Sequence, residues 1–248
     1  MANSNSVVIQ DNWETYSYNS EGAPCFVSFY ARANEITRDD FPLCARVIFP
    51  IKAPNVNGGP TSDEAETLWR LEDDLTDALT KHGAKCIMLA RLTYAGSREL
   101  VFQVADGEEF RPPVGRWIKQ TLDYDVDVSE HDGWGFFDDC VWPGEEDWML
   151  IHDQRVVDNL IRSGSNPKRE HSLDFLFLGE QARLQRLKQE LDVRGYVDSG
   201  SATQPDQLLM VKKLPLDLDL IFSESLENQR LCAEQGVQFD GWGAAVVN

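Results

Sequence analysis

Asp132-Gly133-Trp134-Gly135 and Asp240-Gly241-Trp242-Gly243 are one tetrapeptide written twice in this chain, and what precedes each copy decides the fold. Ahead of the first lies an apolar strand over 41–51, then a loop holding Asn57-Gly58-Gly59. Thr61 and Glu64 have the spacing of a capping box. Leu68, Leu71, Leu75 and Leu79 recur at three and four residues, which predicts a helix stopped by Gly83. Strands over 85–94 and 98–105 follow, with Ala95-Gly96-Ser97 as their hairpin turn. Pro112-Pro113 opens a second helix through Leu122, since proline suits a first turn, and a strand over 124–128 leads to the tetrapeptide.

Ahead of the second copy the spacing predicts a leading helix over 148–163, a strand over 171–178 and a helix over 181–194 striped by Leu184, Leu187 and Leu191. A short strand from Tyr196, a strand over 207–214, a helix over 222–235 stopped by Gly236 and a closing strand over 238–247 complete it. Both halves read β-α-β-β-α-β. The expected class is α+β: two tandem ferredoxin-like domains whose antiparallel sheets are covered by helices on one face. Residues 7–30, with Val8, Trp13, Tyr16 and Tyr18, add two or three strands that the sequence does not assign to either sheet. The acidic, Pro-Gly-broken stretch 138–147 sets the boundary between domains 1–145 and 146–248.

The tetrapeptide itself has a physical reading. Asp-Gly favours a turn, because glycine has no Cβ to clash and the Asp side chain bonds the backbone beyond it. The indole N–H needs an acceptor. Trp134 and Trp242, with Asp132 and Asp240, are therefore read as turn-plus-anchor elements of an interface region. Tryptophan is also a favoured interface anchor.

The 248 residues hold 23 Lys+Arg and 42 Asp+Glu, a formal charge of -19. Such a surface disfavours direct RNA or DNA binding, which rests on cations neutralising phosphates. It suits a basic protein partner or serves solubility alone. Acidic clusters such as Glu72-Asp73-Asp74 are read as solvated steering charge. Cys25, Cys44, Cys86, Cys140 and Cys232 are odd in number and far apart, which argues against a disulfide framework. The polar start of the chain and the lack of a long apolar run point to a cytoplasmic protein with no membrane contact.

No cofactor and no metal is expected. The acidic clusters lack EF-hand spacing, His82, His131, His152 and His171 lack ligand spacing, and neither a phosphate loop nor G-x-G-x-x-G is present. No catalytic residue is assigned.

From Leu160 to Ser165, His171 to Phe175, Gly195-Tyr196 and the terminal Phe239-Asp240-Gly241-Trp242-Gly243, the second half resembles the family called regulator of ribonuclease E activity B, or RraB. The first half, through Trp13, Phe41-Pro42 and Gly58-Gly59-Pro60, looks like a bacterial domain of unassigned function found fused ahead of it. The resemblance implies a bacterial, cytoplasmic, ferredoxin-like protein without catalysis of its own, which binds ribonuclease E and modulates its cutting of RNA. Family members carry an acidic stretch before the third strand, whereas here 199–207 is small and polar with Asp206 its one acid. The acidity lies more in the first half: residues 1–145 carry 12 basic and 25 acidic side chains, residues 146–248 carry 11 and 17.

The first reading is thus a regulatory protein docking on ribonuclease E or another basic RNA-processing protein, with Trp242, Asp240, Trp134, Asp132, Glu72, Asp73 and Asp74 as candidate contacts. Two rivals stand beside it. One is an enzyme of unknown chemistry with a small-molecule pocket near His131 and Cys140. The other is a structural pair of domains whose sheets pack on each other or across a homo-oligomer.

Overall fold

The computed structural model describes residues 12–246 other than 122 and 203. Val8, the helix end at Leu122 and the strand end at Val247 lie outside the described residues. The chain divides into two compact units, Met1–Trp142 and Pro143–Asn248. Helices and antiparallel sheets are mixed in each, so the class is α+β.

The first unit runs β1 (Trp13–Ser20), β2 (Ala23–Tyr30), β3 (Leu43–Pro50), α1 (Ser62–Lys81), β4 (Cys86–Tyr94), β5 (Ser97–Val104), α2 (Gly107–Gln120), β6 (Asp127–Asp132) and α3 (Gly135–Cys140). Its sheet has the order β1-β2-β4-β5-β3-β6, antiparallel throughout. The N-terminal hairpin joins this sheet through β2 and β4. The β4–β5 turn places Ala95 at φ 48° and Gly96 at φ 78°, the doubly left-handed geometry whose twist matches the flanking strands. Leu68, Leu75 and Leu79 of α1 pack with Phe110 and Trp117 of α2 on Val47, Phe49 and Phe102 of the sheet.

Four local features depart from the sequence expectation. Thr61 makes no side-chain cap, and the other half of the capping box is absent too: Thr61 N–H donates to the Ala53 carbonyl at 3.0 Å, while Glu64 Oε1 accepts from the Lys52 backbone N–H at 3.1 Å and the Tyr124 hydroxyl at 2.8 Å. Helix α2 begins at Gly107, where Asp106 accepts from Glu108 N–H, and carries Pro112 and Pro113 inside. The helix tolerates them because the carbonyls they leave without an amide belong to the exposed Glu108 and Glu109. Strand β6 starts at Asp127, while Tyr124 is drawn out of the strand to pack edge-on against Phe49, with centroids 6.3 Å apart. Finally, the sheet is not covered on one face only. Phe137 of α3 meets Trp134 and Trp142, and Trp142 meets Phe29, at centroid distances of 5.8–5.9 Å on the face opposite α1.

The second unit runs α4 (Glu145–Arg162), β7 (Glu170–Leu178), α5 (Gln181–Val193), β8 (Val197–Asp198), β9 (Gln207–Pro215), α6 (Leu218–Gln235) and β10 (Gln238–Ala244). The antiparallel sheet has the order β10-β7-β9-β8. Along β7 the burial alternates: Leu173, Phe175 and Phe177 face α5 and α6, while Ser172 and Asp174 are exposed. Gly236, at φ 65°, ends α6 in the left-handed cap that a residue with Cβ adopts at a cost.

Within α6 the burial sets a clear contrast. Leu231 is 2% exposed and Leu220 49%. Leu231→Ala is expected to lower unfolding stability by about 2–5 kcal/mol, and Leu220→Ala to stay within about 0.5 kcal/mol, in urea titrations of the two variants.

Candidate functional site

The second tetrapeptide lies inside β10, where the register with β7 shifts between Phe239 and Trp242. Gly241 sits in that bulge at φ 94°. The bulge turns the Trp242 indole inward, and its Nε1–H donates to Asp153 Oδ1 of α4 at 2.7 Å. Asp153 is 4% exposed. Burial pushes its carboxyl above the ordinary aspartate value, while the Trp242 N–H pulls it back. Trp242 is half-buried against the core, and its bond ties β10 to α4. Asp240 is exposed.

The first tetrapeptide occupies a different backbone position. Asp132 ends β6 and is exposed, Gly133 turns at φ 78°, and Trp134 precedes the first residue of α3. Trp134 is 6% exposed, and its Nε1–H donates to the Phe41 carbonyl at 3.0 Å. The Arg38 guanidinium covers the ring at 4.8 Å and makes two hydrogen bonds to Asp138, at 2.7 and 2.8 Å. In both copies the indole N–H finds a buried or backbone acceptor, so each ring is spent inside its own unit.

The acidic triplet on α1 splits. Asp73 and Asp74 are exposed, but Glu72 is 8% exposed and takes a bidentate pair from Arg91 of β4, with Nε to Oε2 at 2.6 Å. Glu72 therefore belongs to a buried pair, and the expectation of a fully solvated cluster is corrected to Asp73 and Asp74.

An open groove of about 1030 Å³ runs in the second unit between the first turn of α4 and α6. Lys212 of β9 pairs with Glu224 in it and lies 4.8 Å from the Tyr196 ring. The Tyr196 hydroxyl donates to Glu224 Oε2 at 2.7 Å and accepts from Asn228 at 2.9 Å. Glu227 pairs with Arg194 and, at 2.5 Å, with Arg230; Arg194 holds its carboxyl below the usual range. Glu145 and Glu146 have no ion pair among the described residues and stand at the rim beside Trp148. Neither Trp242 nor Asp240 lines the groove. The sequence reading missed it. The usable signal was Glu224, Glu227 and Arg230 recurring at three on α6, a charged stripe opposite that helix's apolar side.

The proposed pairing of His131 with Cys140 does not form a pocket. Cys140 lines a cavity of about 180 Å³ with Cys25, Arg46, Glu99 and Phe136, and His131, exposed on β6, is not among its walls. Burial also pushes the Cys140 thiol up, away from the thiolate a nucleophile needs. All five cysteines are free. Among the described residues no cluster of His, Cys, Asp or Glu is arranged to hold a metal ion, and no helix is long and apolar enough to cross a membrane.

Comparison with known proteins adds an independent line. Residues 11–141 match a family of unknown function, DUF695, and residues 150–244 match the family described as regulator of ribonuclease activity B. A regulator of ribonuclease activity B from Pseudoalteromonas atlantica is 30% identical over 114 residues, covering 42% of this chain and 94% of that protein. A crystal structure of an unknown protein from Galdieria sulphuraria is 11% identical and covers 83% of this chain and 99% of that chain. Its TM-score of 0.20 is too low to bear on the fold.

The Trp242–Asp153 clip generates two expectations. Trp242→Phe replaces the indole by a smaller phenyl ring and deletes the N–H, leaving a buried acceptor unmet, and should cost at least about 1–3 kcal/mol in denaturant unfolding. The Asp153 carboxyl is raised in the folded protein, so the folded state holds its proton more tightly and stability falls as pH rises between the ordinary and the raised value. Asp153→Asn should therefore match the parent in acid and become the more stable of the two toward neutral pH. An unchanged pH profile would show that Asp153 is not the group responsible.

Proposed function

We propose, since the chain belongs through residues 11–141 to the DUF695 family and through residues 150–244 to the regulator of ribonuclease activity B family, that it is a non-catalytic regulator which binds a ribonuclease and modulates its activity. The observation that carries this reading is that the regulator match spans the second unit from within α4 to the end of β10, so that every strand and helix of its sheet layer is included. The partner is ribonuclease E or another basic RNA-processing protein, met in the bacterial cytoplasm. The formal charge of -19 supports a basic partner, because complementary fields speed encounter, and it disfavours direct contact with RNA.

The tandem ferredoxin-like reading is part of the proposal. It rests on strand order: counted from the strand that precedes the first long helix of the pattern, both sheets contain the sequence fourth, first, third, second, as β6-β3-β5-β4 and β10-β7-β9-β8. We assign domains 1–145 and 146–248 on that basis. The contact surface we favour is the α4–α6 groove, with the unpaired Glu145 and Glu146 and the Trp148 ring receiving a basic segment, and with Asp73, Asp74, Asp132 and Asp240 supplying long-range attraction. Trp134 and Trp242 hold the frames that carry these charges.

Purified protein used as bait in bacterial lysate should retain ribonuclease E or a comparable basic RNA-processing protein near 0.1 M salt and release it near 0.5 M, where the screening length falls well below ~10 Å. The double variant Glu145→Lys, Glu146→Lys, which touches no described ion pair, should weaken recovery several-fold. Equal recovery at both salts, or by both proteins, would refute the electrostatic contact. A purified ribonuclease whose cleavage rate is unmoved by saturating regulator would refute the function.

A further inference from the structure

The sheet of the first unit holds a cation that its own residues do not balance. Arg91 of β4 and Arg98 of β5 project to the side occupied by α1: in the register Arg91 lies beside Leu100, and Arg98 beside Thr93 and Phe49. Arg91 is satisfied by Glu72. Arg98 is 6% exposed and makes no ion pair among the described residues. Its Nε–H donates to the Thr93 hydroxyl at 2.9 Å, and its Nη1 is sealed from solvent without a hydrogen-bond partner among the described residues. A guanidinium carries five donors, and the two on Nη1 are left unmet.

The local charge confirms the imbalance. Among the described residues two guanidiniums face one carboxylate, an excess of one positive charge buried in a chain of formal charge -19. Burial, then the like charge of Arg91, pushes Arg98 down to about 10 despite the offset from Glu72, so it remains protonated at neutral pH. Aromatic rings lie beside both guanidiniums. The Trp69 ring of α1 lies 4.2 Å from Arg91 and 5.5 Å from Arg98, and Trp13 lies 5.3 Å from Arg91. The cations thus lie within cation–π range of the rings. Trp69 is itself 45% exposed, and the exposed Thr15 and Phe26 of the hairpin lie on the same face of the sheet as the two arginines.

We propose that Arg98, flanked by Arg91 and Trp69, is the recognition group of a binding site for a small carboxylate on the first unit. A carboxylate matches the fork of the guanidinium and brings the single negative charge that the cluster lacks. A phosphate dianion overcompensates and meets Glu72 at close range, which disfavours it. The site stands independently of ribonuclease regulation, since it uses residues of the first unit alone.

The test titrates the full chain with sodium acetate, and separately with sodium phosphate, at constant ionic strength against chloride. The readouts are Tm and the Arg98 Nε–H resonance. The expected result is a saturable rise in Tm with acetate and a matching shift of that resonance. Arg98→Met should weaken the acetate response at least about tenfold, as the loss of a charge-assisted pair implies. In chloride the same variant should melt higher than the parent, because a buried unpaired charge has been removed. Absence of saturation, or an acetate response that survives in Arg98→Met, overturns the site. A phosphate response stronger than acetate overturns the carboxylate assignment. If Arg98→Met does not fold, an Arg98 resonance in the parent protein that acetate leaves unmoved overturns it equally.

Discussion

In each unit the first and third strands of the β-α-β-β-α-β run lie side by side and antiparallel: β3 on β5 from Leu43↔Val104 to Pro50↔Ser97, and β7 on β9 from Glu170↔Pro215 to Leu178↔Gln207. Much else follows from that pairing. A chain that leaves β3 and must return β5 to its side has to carry α1 across one face and put β4 beyond β5. The second helix then crosses the same face and delivers the last strand to the free side of the first. The two helices share one apolar layer, which is why the leucines of α1 and the aromatics of α2 enter one core. The free edge beyond the second strand is handled differently in the two units. In the first, the β1–β2 hairpin pairs with it. In the second, β8 is two residues long and offers little to a foreign strand.

The repeated tetrapeptide shows what a short motif does and does not dictate. Asp-Gly fixes a left-handed glycine in both copies, and the indole N–H finds an acceptor in both. The backbone around it differs: a strand-to-helix turn in one unit, a bulge within a strand in the other. The motif thus encodes a kink with an inward ring, and the surrounding strand pairing decides which kink. In the second unit the acceptor is the buried carboxylate of α4, so the leading helix, which lies outside the β-α-β-β-α-β run, is coupled to the sheet edge through a single polar contact.

Legibility followed the range of the cause. The leucine spacing of α1, the Ala95-Gly96 hairpin and the stripe of α5 are local patterns, and each stands in the structure close to its expected limits. The start of α2 was obscured because Pro112-Pro113 is a strong local signal, whereas the Asp106 cap that begins the helix is a weak one. The capping box on α1 failed for a non-local reason: Glu64 is claimed by Lys52 and by Tyr124, sixty residues away in sequence. Glu72 looked like part of an acidic run and turned out buried because its partner sits on another element. The α4–α6 groove assembles side chains from four elements, which no spacing rule brings together.

Charge acts here on two length scales. Most arginines are spent in local pairs: Arg32 with Glu35, Arg38 with Asp138, Arg46 with Glu99, Arg111 with Glu130, Arg194 with Glu227. What remains is a surplus of carboxylates, among them Asp73 and Asp74, and their field extends over roughly the screening length, ~10 Å at 0.1 M salt. Arg98 opposes that field only at contact range, where a sealed guanidinium is screened far less than a surface charge. Such a field would draw a basic protein from the whole surface, and salt would weaken that attraction. A small carboxylate must cross the same repulsive field before it meets Arg98, so added salt favours its approach. Opposite salt dependences for the two kinds of partner would be the physical signature of an acidic chain that keeps, among its described residues, a buried cation without an ion pair.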